Sequence, residues 1–442
     1  MDSTKMAAQF IDVLKDGVVA ATGCTEPIAV AYGAANGRAV LADQTIQKIE
    51  VKVSPNIMKN AMAVIVPGTG EPGLLVAAAA GALCGQADAG LSVIANMTPA
   101  DVPAVLELAH SGRVSAQVAA VDDDLYVEVS LTTAKDTVRV CIAGAHTNIF
   151  LVEKNDTVLF SKERPSAHAT SDFKAFMKTV TFADIWQFAH NVDLKSIAFM
   201  KDAATVNMAL AEEGLHHDYG LKLGRSIDQA STSGFGSGMA ADLGNRIVAY
   251  TAAASDARMG GAPLPAMSNS GSGNQGITAT CPVCVVAQHV NADEETLVRG
   301  ITLSHLTALY IHAFLPVLSA FCATDSAAMG AAAGVVYLMD DDFQTACRSI
   351  NNMASDAAGM ICDGAGCSCA MKVATSVASM YRSVNLALMQ IAVPASNGLV
   401  CHQIDETIQA IGRLGTEGLA GTDPTILNIM VEKKSDQVQE VR

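Results

Sequence analysis

Apolar and polar residues change rhythm partway along this chain, and the change divides it. Residues 5–41 carry helical spacing broken by Gly23 and Pro27, which predicts helix, turn and helix with Cys24 at the second helix start. Residues 46–53 alternate apolar and charged positions, the pattern of a half-buried strand. A short β-like run at 64–66 is stopped by Pro67-Gly-Thr-Gly70. Residues 74–91 read as a buried Ala-rich helix, and 98–111 as a helix with Pro103 in its first turn. Strand patterns follow at 114–120, 125–132 and 137–143, and 146–152 and 157–162 extend that meander.

From about residue 166 the strand signal fades. Helical spacing takes over at 170–190, 194–213, 236–258, 275–289, 294–313, 316–323, 325–338, 341–359, 370–390 and 402–414. The expected fold class is α+β: a mostly helical catalytic body with a smaller α/β domain carrying a mixed or antiparallel sheet. The expected boundaries are 1–45 for N-terminal helices packing on the helical body, 46–165 for the α/β domain, and 166–442 for the helical, cluster-binding domain. The charged tail at 432–442 is expected to fray.

Composition narrows the function. Half of the 442 residues are hydrophobic and only 16% are charged, so many helices should be fully buried. A net charge of −16 repels phosphates and argues against a nucleic-acid partner. The longest apolar runs are too short and too rich in Ala and Gly to span a bilayer, so no membrane partner is expected. Eleven cysteines without a secretory signal pattern are expected to be reduced thiols in the cytoplasm, some of them metal ligands. The Ala/Gly-rich helices suit a subunit interface and a packed interior equally, which leaves a homo-oligomer open.

Candidate chemistry concentrates in a few stretches. Cys362-Asp-Gly-Ala-Gly-Cys-Ser-Cys369 puts three thiols on a Gly-rich turn ahead of a helix. A helix N-terminus offers free N–H groups and a positive dipole end, both favouring thiolate and metal or cluster ligation. Cys322 by itself reads as a core cysteine, relevant only if the fold brings it to Cys362. Cys281-Pro-Val-Cys284 has the spacing of redox and zinc motifs but lacks a matching second pair. The loop Ser268-Asn-Ser-Gly-Ser-Gly-Asn-Gln-Gly276 precedes an apolar helix and suits an anion. Cys24, at a helix start beside Thr25 and Glu26, is either an activated thiolate or a core cysteine. His146, His305 and His312 lie singly on apolar faces, and core packing is the plainer reading of each.

These stretches together resemble a known family. Gly23-Cys-Thr-Glu-Pro27, Ser54-Pro-Asn-Ile-Met-Lys-Asn60, Val66-Pro-Gly-Thr-Gly70, Gly144-Ala-His-Thr-Asn148, Ser270-Gly-Ser-Gly-Asn274 and Cys362-Asp-Gly-Ala365 are similar to motifs of the L-cysteine desulfidase family. That family is related to the iron–sulfur L-serine dehydratases through their α-chain. The resemblance implies a pyridoxal-independent β-elimination with a [4Fe–4S] cluster held by Cys322, Cys362 and Cys369. It implies Cys24 as the base, with the substrate held by Thr25, Glu26, Lys59, Asn60, Ser270, Ser272 and Asn274. The substrate would be L-cysteine, or L-serine, giving pyruvate, ammonia and sulfide or water. Cys281, Cys284 and Cys367 fall outside the family's cysteine pattern, and Cys367 lies near enough to Cys369 to compete with it. Two other readings use the same residues. One is a pyridoxal-phosphate lyase with Lys201 or Lys222 as Schiff-base lysine; the other is a zinc- or redox-sensing thiol protein without catalysis.

Overall fold

The computed structural model describes residues 3–42, 44–166, 172–230 and 242–440. The chain begins with α1 (Ser3–Gly17), a short strand β1 (Ala20–Thr22) and α2 (Thr25–Leu41). After β2 (Lys48–Val53), the helices α3 (Pro55–Ala61), α4 (Leu74–Cys84) and α5 (Val102–His110) cross over to β3 (Val114–Val118), which pairs parallel with β2. The strands β4 (Tyr126–Thr132), β5 (Thr137–Ala143), β6 (Ile149–Lys154) and β7 (Thr157–Ser161) then run antiparallel. The sheet order is β3-β2-β4-β5-β6-β7. The expected meander therefore holds only from β4 to β7. β3 lies on the far side of β2, because the three intervening helices supply the long crossover that a parallel pair needs. Residues 64–66 form only an isolated bridge, Ile65 to Pro72.

The helical body follows. Its elements are α6 (Asp172–Met177), α7 (Phe182–Asn191), α8 (Leu194–Ile197), α9 (Lys201–His216), α10 (Leu223–Ala230) and α11 (Leu243–Met259), then a short strand β8 (Pro265–Met267). After it come α12 (Gly273–Val290), α13 (Glu294–Ala313), α14 (Ala323–Met339), α15 (Phe343–Asp356), α16 (Cys369–Leu388), α17 (Ile404–Arg413) and α18 (Thr422–Glu440). The α+β class is as expected. Positions 170–171 and 236–241 of the expected helices lie outside the described residues. α18 continues to Glu440 and packs against α3.

Two apolar cores hold these layers. In one, α2 and α4 press against the sheet through small residues, among them Ala31, Ala34 and Ala77, all fully buried beside Val129 and Leu131. In the other, α12, α13 and α14 form a buried centre that includes Cys284, while Cys281 is buried in a smaller cluster with Leu210, Ala254 and Ile277. The two N-terminal helices part company between them. Phe10 of α1 packs on Phe176 and Phe188 of the body, with ring centroids at 5.3 and 4.9 Å. α2, expected on the body as well, lies on the sheet because its face of Ala and Gly fits closely over β4 and β5. The two-stranded β1–β8 pairing, Ala21 opposite Ala266, ties the start of α2 to the start of α12. Among the described residues no helix is long and apolar enough to cross a membrane.

Residues 316–322, expected as helix, are an irregular, bent segment, and α14 begins at Ala323. Pro316 disfavours helical backbone at Leu315 and removes a donor, so nearby carbonyls need other partners. Lys174 Nζ donates to Leu315 O at 2.9 Å, and Asn56 Nδ2 to Leu318 O at 3.3 Å. Lys174 is buried, and desolvation pushes its ammonium down to about 7, with Lys178 adding to the effect. The unfolded chain then binds this proton up to the ordinary lysine range while the folded chain releases it near neutrality. This one group therefore favours folding increasingly as pH rises above about 7. In urea titrations, the stability of wild type relative to Lys174→Met should rise between pH 7 and 10, by up to about 1.4 kcal/mol per pH unit. A difference independent of pH would contradict the depressed lysine.

Candidate active site

The site begins where β1 hands the chain to α2. Gly23 has φ +73°, and a Cβ there would stand 2.3 Å from Pro67 Cγ, so only glycine lets the backbone turn into the helix. Cys24 is then the N-cap of α2, 4% exposed. Its Sγ donates to Glu26 Oε2 at 2.9 Å. Thr25 Oγ1 lies 3.2 Å from the same oxygen and 2.9 Å from Gly271 O, and Asn60 Nδ2 donates to Glu26 Oε1 at 3.0 Å. Asn60 Oδ1 and His146 Nε2 are buried without a hydrogen-bond partner among the described residues.

A buried cation faces this carboxylate. Arg258, in the last turn of α11, is 4% exposed. Its Nε donates to Gly23 O at 3.2 Å, and among the described residues it forms no ion pair with a carboxylate. A Cβ on Gly273 would lie 2.2 Å from Arg258 Nε, so glycine at the first position of α12 lets the guanidinium lie across that helix end. The turn leading into α12 has positive φ at both Ser270 and Gly271, closing a tight reversal from Asn269 to Ser272. Ser272 caps α12 by accepting from Gln275 N at 3.3 Å. Asn274 accepts from Ser255 Oγ at 3.2 Å.

Three further thiols close the other side. Cys322 is the N-cap of α14, and Cys369 is the first residue of α16. Cys322 N donates to Met360 O at 2.9 Å, and Cys362 N to Ala320 O at 2.7 Å, joining the two loops as a short antiparallel pair. Lys372 on α16 pairs with Asp363 at 2.8 Å.

One cavity of about 110 Å³ is lined by Cys24, Thr25, Glu26, Asn60, Ser270, Ser272, Asn274, Cys322, Cys362 and Cys369. The expected site residues, drawn from five separate stretches of sequence, thus meet, with one exception. His146, Arg258, His312 and Lys372 also line this space. Cys367 does not, and is exposed. A larger cavity of about 610 Å³ lies across the segment 316–319 and is lined by Lys174, Lys178 and residues 122–124, with none of the cysteines.

The exception is Lys59. Its side chain is 1% exposed, and its Nζ pairs with Asp423 Oδ1 of α18 and donates to Cys362 O at 3.1 Å. It anchors the Cys362 loop from behind and does not line the cavity. His146, whose plainer reading was core packing, stands beside Glu26 at the cavity wall. Arg258 was missed from the sequence; the available signal was a lone arginine closing an Ala-rich helix just before Gly260-Gly261.

Electrostatics bear on the two readings of Cys24. Burial pushes the Cys24 thiol well above its ordinary value, and the neighbouring Glu26 adds to this. Burial acts upward on Glu26 too, but His146, the Cys24 bond and Arg258 outweigh it and hold the carboxyl below the usual range. The proton therefore rests on Cys24 and the negative charge on Glu26. Cys322 is likewise raised by burial and by Cys362, and Cys369 is pushed up to about 11 by burial and Cys362. In this pocket, desolvation outweighs the helix-end effect that would favour thiolates.

A family model described as serine dehydratase alpha chain matches residues 88–428. A UPF0597 protein of Latilactobacillus sakei subsp. sakei is 66% identical over 96% of this chain and 98% of its own length. A UPF0597 protein of Dichelobacter nodosus is 46% identical over 96% of this chain and 97% of its own. The UPF0597 protein YhaM of Escherichia coli K12 is 43% identical, with the same two shares.

The buried Lys59–Asp423 pair generates a stability prediction. Asp423→Asn leaves an ammonium buried without a countercharge and should cost on the order of 3 kcal/mol in chemical denaturation. Lys59→Met should cost less, because Asp423 is 14% exposed and its freed carboxylate can reach water. The reverse order would contradict the assignment.

Proposed function

The chain belongs to the serine dehydratase alpha-chain family, and from that premise and the cavity's chemistry we propose a lyase that removes the β-substituent of a small amino acid. The proposed substrate is L-cysteine, with L-serine as the alternative. L-cysteine plus water would give pyruvate, ammonia and sulfide. The observation that carries this reading is the Cys24–Glu26 pair in one small cavity with a buried arginine and three further cysteines.

The residues present suit an iron–sulfur cluster better than a single ion. Cys322, Cys362 and Cys369 are free thiols on one cavity wall. Among the described residues no three His, Cys, Asp or Glu side chains form a ready site for one metal ion. A cubane takes one thiolate on each of three irons, so its ligands stand apart around a space instead of converging on a point. A [4Fe–4S] cluster held in this way would supply an open-site iron as Lewis acid toward the β-leaving group.

The chain's own groups account for the remaining chemistry. Arg258 and the N-terminus of α12, with Ser270 and Ser272, form a cationic corner for the substrate carboxylate. Asn60 Oδ1, without a partner among the described residues, can accept from the substrate ammonium. Cys24 Sγ takes the α-proton while its own proton passes to Glu26 Oε2, 2.9 Å away. The base is thus the Cys24–Glu26 pair and not a preformed thiolate. Aminoacrylate released by elimination tautomerises and hydrolyses without an enzyme group.

The two other readings find less support. Lys201 and Lys222 are exposed and paired with Glu294 and Asp218. Cys281 and Cys284 sit in the core of α12, with Cys284 pushed up to about 12 by burial, which disfavours a zinc or redox sensor.

Iron-loaded protein kept from oxygen should release sulfide and pyruvate in equal amounts from L-cysteine. Cys24→Ala should retain iron and lose turnover by about 100-fold or more, and Glu26→Gln should fall in the same direction. Wild-type turnover in Cys24→Ala would remove the base assignment. Loaded protein that releases neither sulfide from L-cysteine nor pyruvate from L-serine would overturn the reading as a whole.

A further inference from the structure

Asp325 is fully buried, and among the described residues its carboxylate forms no ion pair. An acid in that position is costly unless its oxygens are used. Each oxygen is used, and by a different segment of the chain. Ser376 Oγ, on α16, donates to Oδ1 at 2.9 Å. Met360 N, two residues before Cys362, donates to Oδ2 at 3.2 Å. Asp325 itself stands in the first turn of α14, and its own N–H donates to Cys322 O at 3.0 Å. Thr324 extends the link, with its Oγ1 2.9 Å from Ser376 Oγ and 3.0 Å from Cys322 Sγ. The three connected segments are the ones that carry Cys322, Cys362 and Cys369.

We propose that Asp325 is a positioning residue: it gathers the three thiol-bearing segments into one wall, by hydrogen bonding and behind the cavity. It is absent from the cavity lining, so it acts through the segments it holds. Without it, the Cys362 loop keeps its bonds to Ala320, to Cys322 N and to Lys59 and the Asp363–Lys372 pair, but Met360 N loses its acceptor on α14 and α14 loses the carboxylate bond to Ser376 of α16. The inference rests on the proposed function for the purpose of the wall, and on geometry alone for the tie.

The test separates the two. Amide hydrogen exchange at 359–362 is measured in cluster-free protein, and bound iron is measured separately after anaerobic reconstitution. Asp325→Leu should speed exchange at Met360 by about tenfold or more and lower bound iron, with most other amides unchanged. Asp325→Asn should restore both, because its amide oxygen can accept from Met360 while its NH2 donates to the Ser376 hydroxyl. Ser376→Ala, a mild change that leaves Asp325 in place, should give an intermediate loss of iron and covers the case in which Asp325→Leu fails to fold. Wild-type exchange and iron in folded Asp325→Leu would overturn the proposal. So would Asp325→Asn failing as badly as Asp325→Leu, or Ser376→Ala loading iron like wild type while Asp325→Leu is unfolded. If wild type binds no iron, the proposed function fails, and the exchange result still decides whether Asp325 ties the loop.

Discussion

Four long helices, α2, α12, α14 and α16, begin at one small cavity, and the rest of the structure serves that convergence. Each helix start carries unpaired N–H groups and a partial positive charge. Gathering four such ends inside a protein is unfavourable unless negative charge or strong acceptors face them. The residues set there answer that requirement: Cys24 and Cys322 at N-caps, Cys369 at a first helical position, and a serine turn at the start of α12. A substrate carboxylate and thiolates on iron would complete the balance. The burial that makes these ends effective also keeps the free thiols protonated, so the site is poised for ligands and is not already charged.

The two cores explain how distant segments stay in register. α2 belongs to the sheet layer and α12, α14 and α16 to the helical body, so the cavity lies along the seam between the layers. The β1–β8 pairing fixes the seam at one side. At the other, the contact of α18 with α3 and the Lys59 link to Cys362 close it. Two glycines allow close approaches beside the cavity: Gly23 against Pro67 and Gly273 beneath Arg258. A side chain at either would push apart groups that the proposed chemistry needs within hydrogen-bond reach.

Much of this was legible in the sequence because the relevant signals are local. Helical spacing, glycine punctuation and the shift from alternating to helical rhythm located most elements. Gly23-Cys24 marked a helix start that the backbone confirms. Long-range geometry was not legible. The position of β3 beyond β2 depends on the crossover, and the irregular segment at 316–322 depends on donors from Asn56 and Lys174 to its carbonyls and that of Leu315. Lys59 and Asn60 share a motif, yet neighbours on a helix point about 100° apart, so one reaches Glu26 and the other the Cys362 carbonyl. Arg258 and His146 owe their importance to what surrounds them in space, and no spacing rule announces that. The choice between the two readings of Cys24 was not legible for the same reason: helix position is visible in sequence, but burial beside a carboxylate is not.

The central claim is that Cys322, Cys362 and Cys369 together hold a cluster against the Cys24–Glu26 pair. Its most direct test is the iron and acid-labile sulfide bound per chain in protein purified without oxygen. About four of each are expected for a cubane, falling away in Cys362→Ala but not in Cys24→Ala. Zinc alone, or no metal even after reconstitution, would contradict the account.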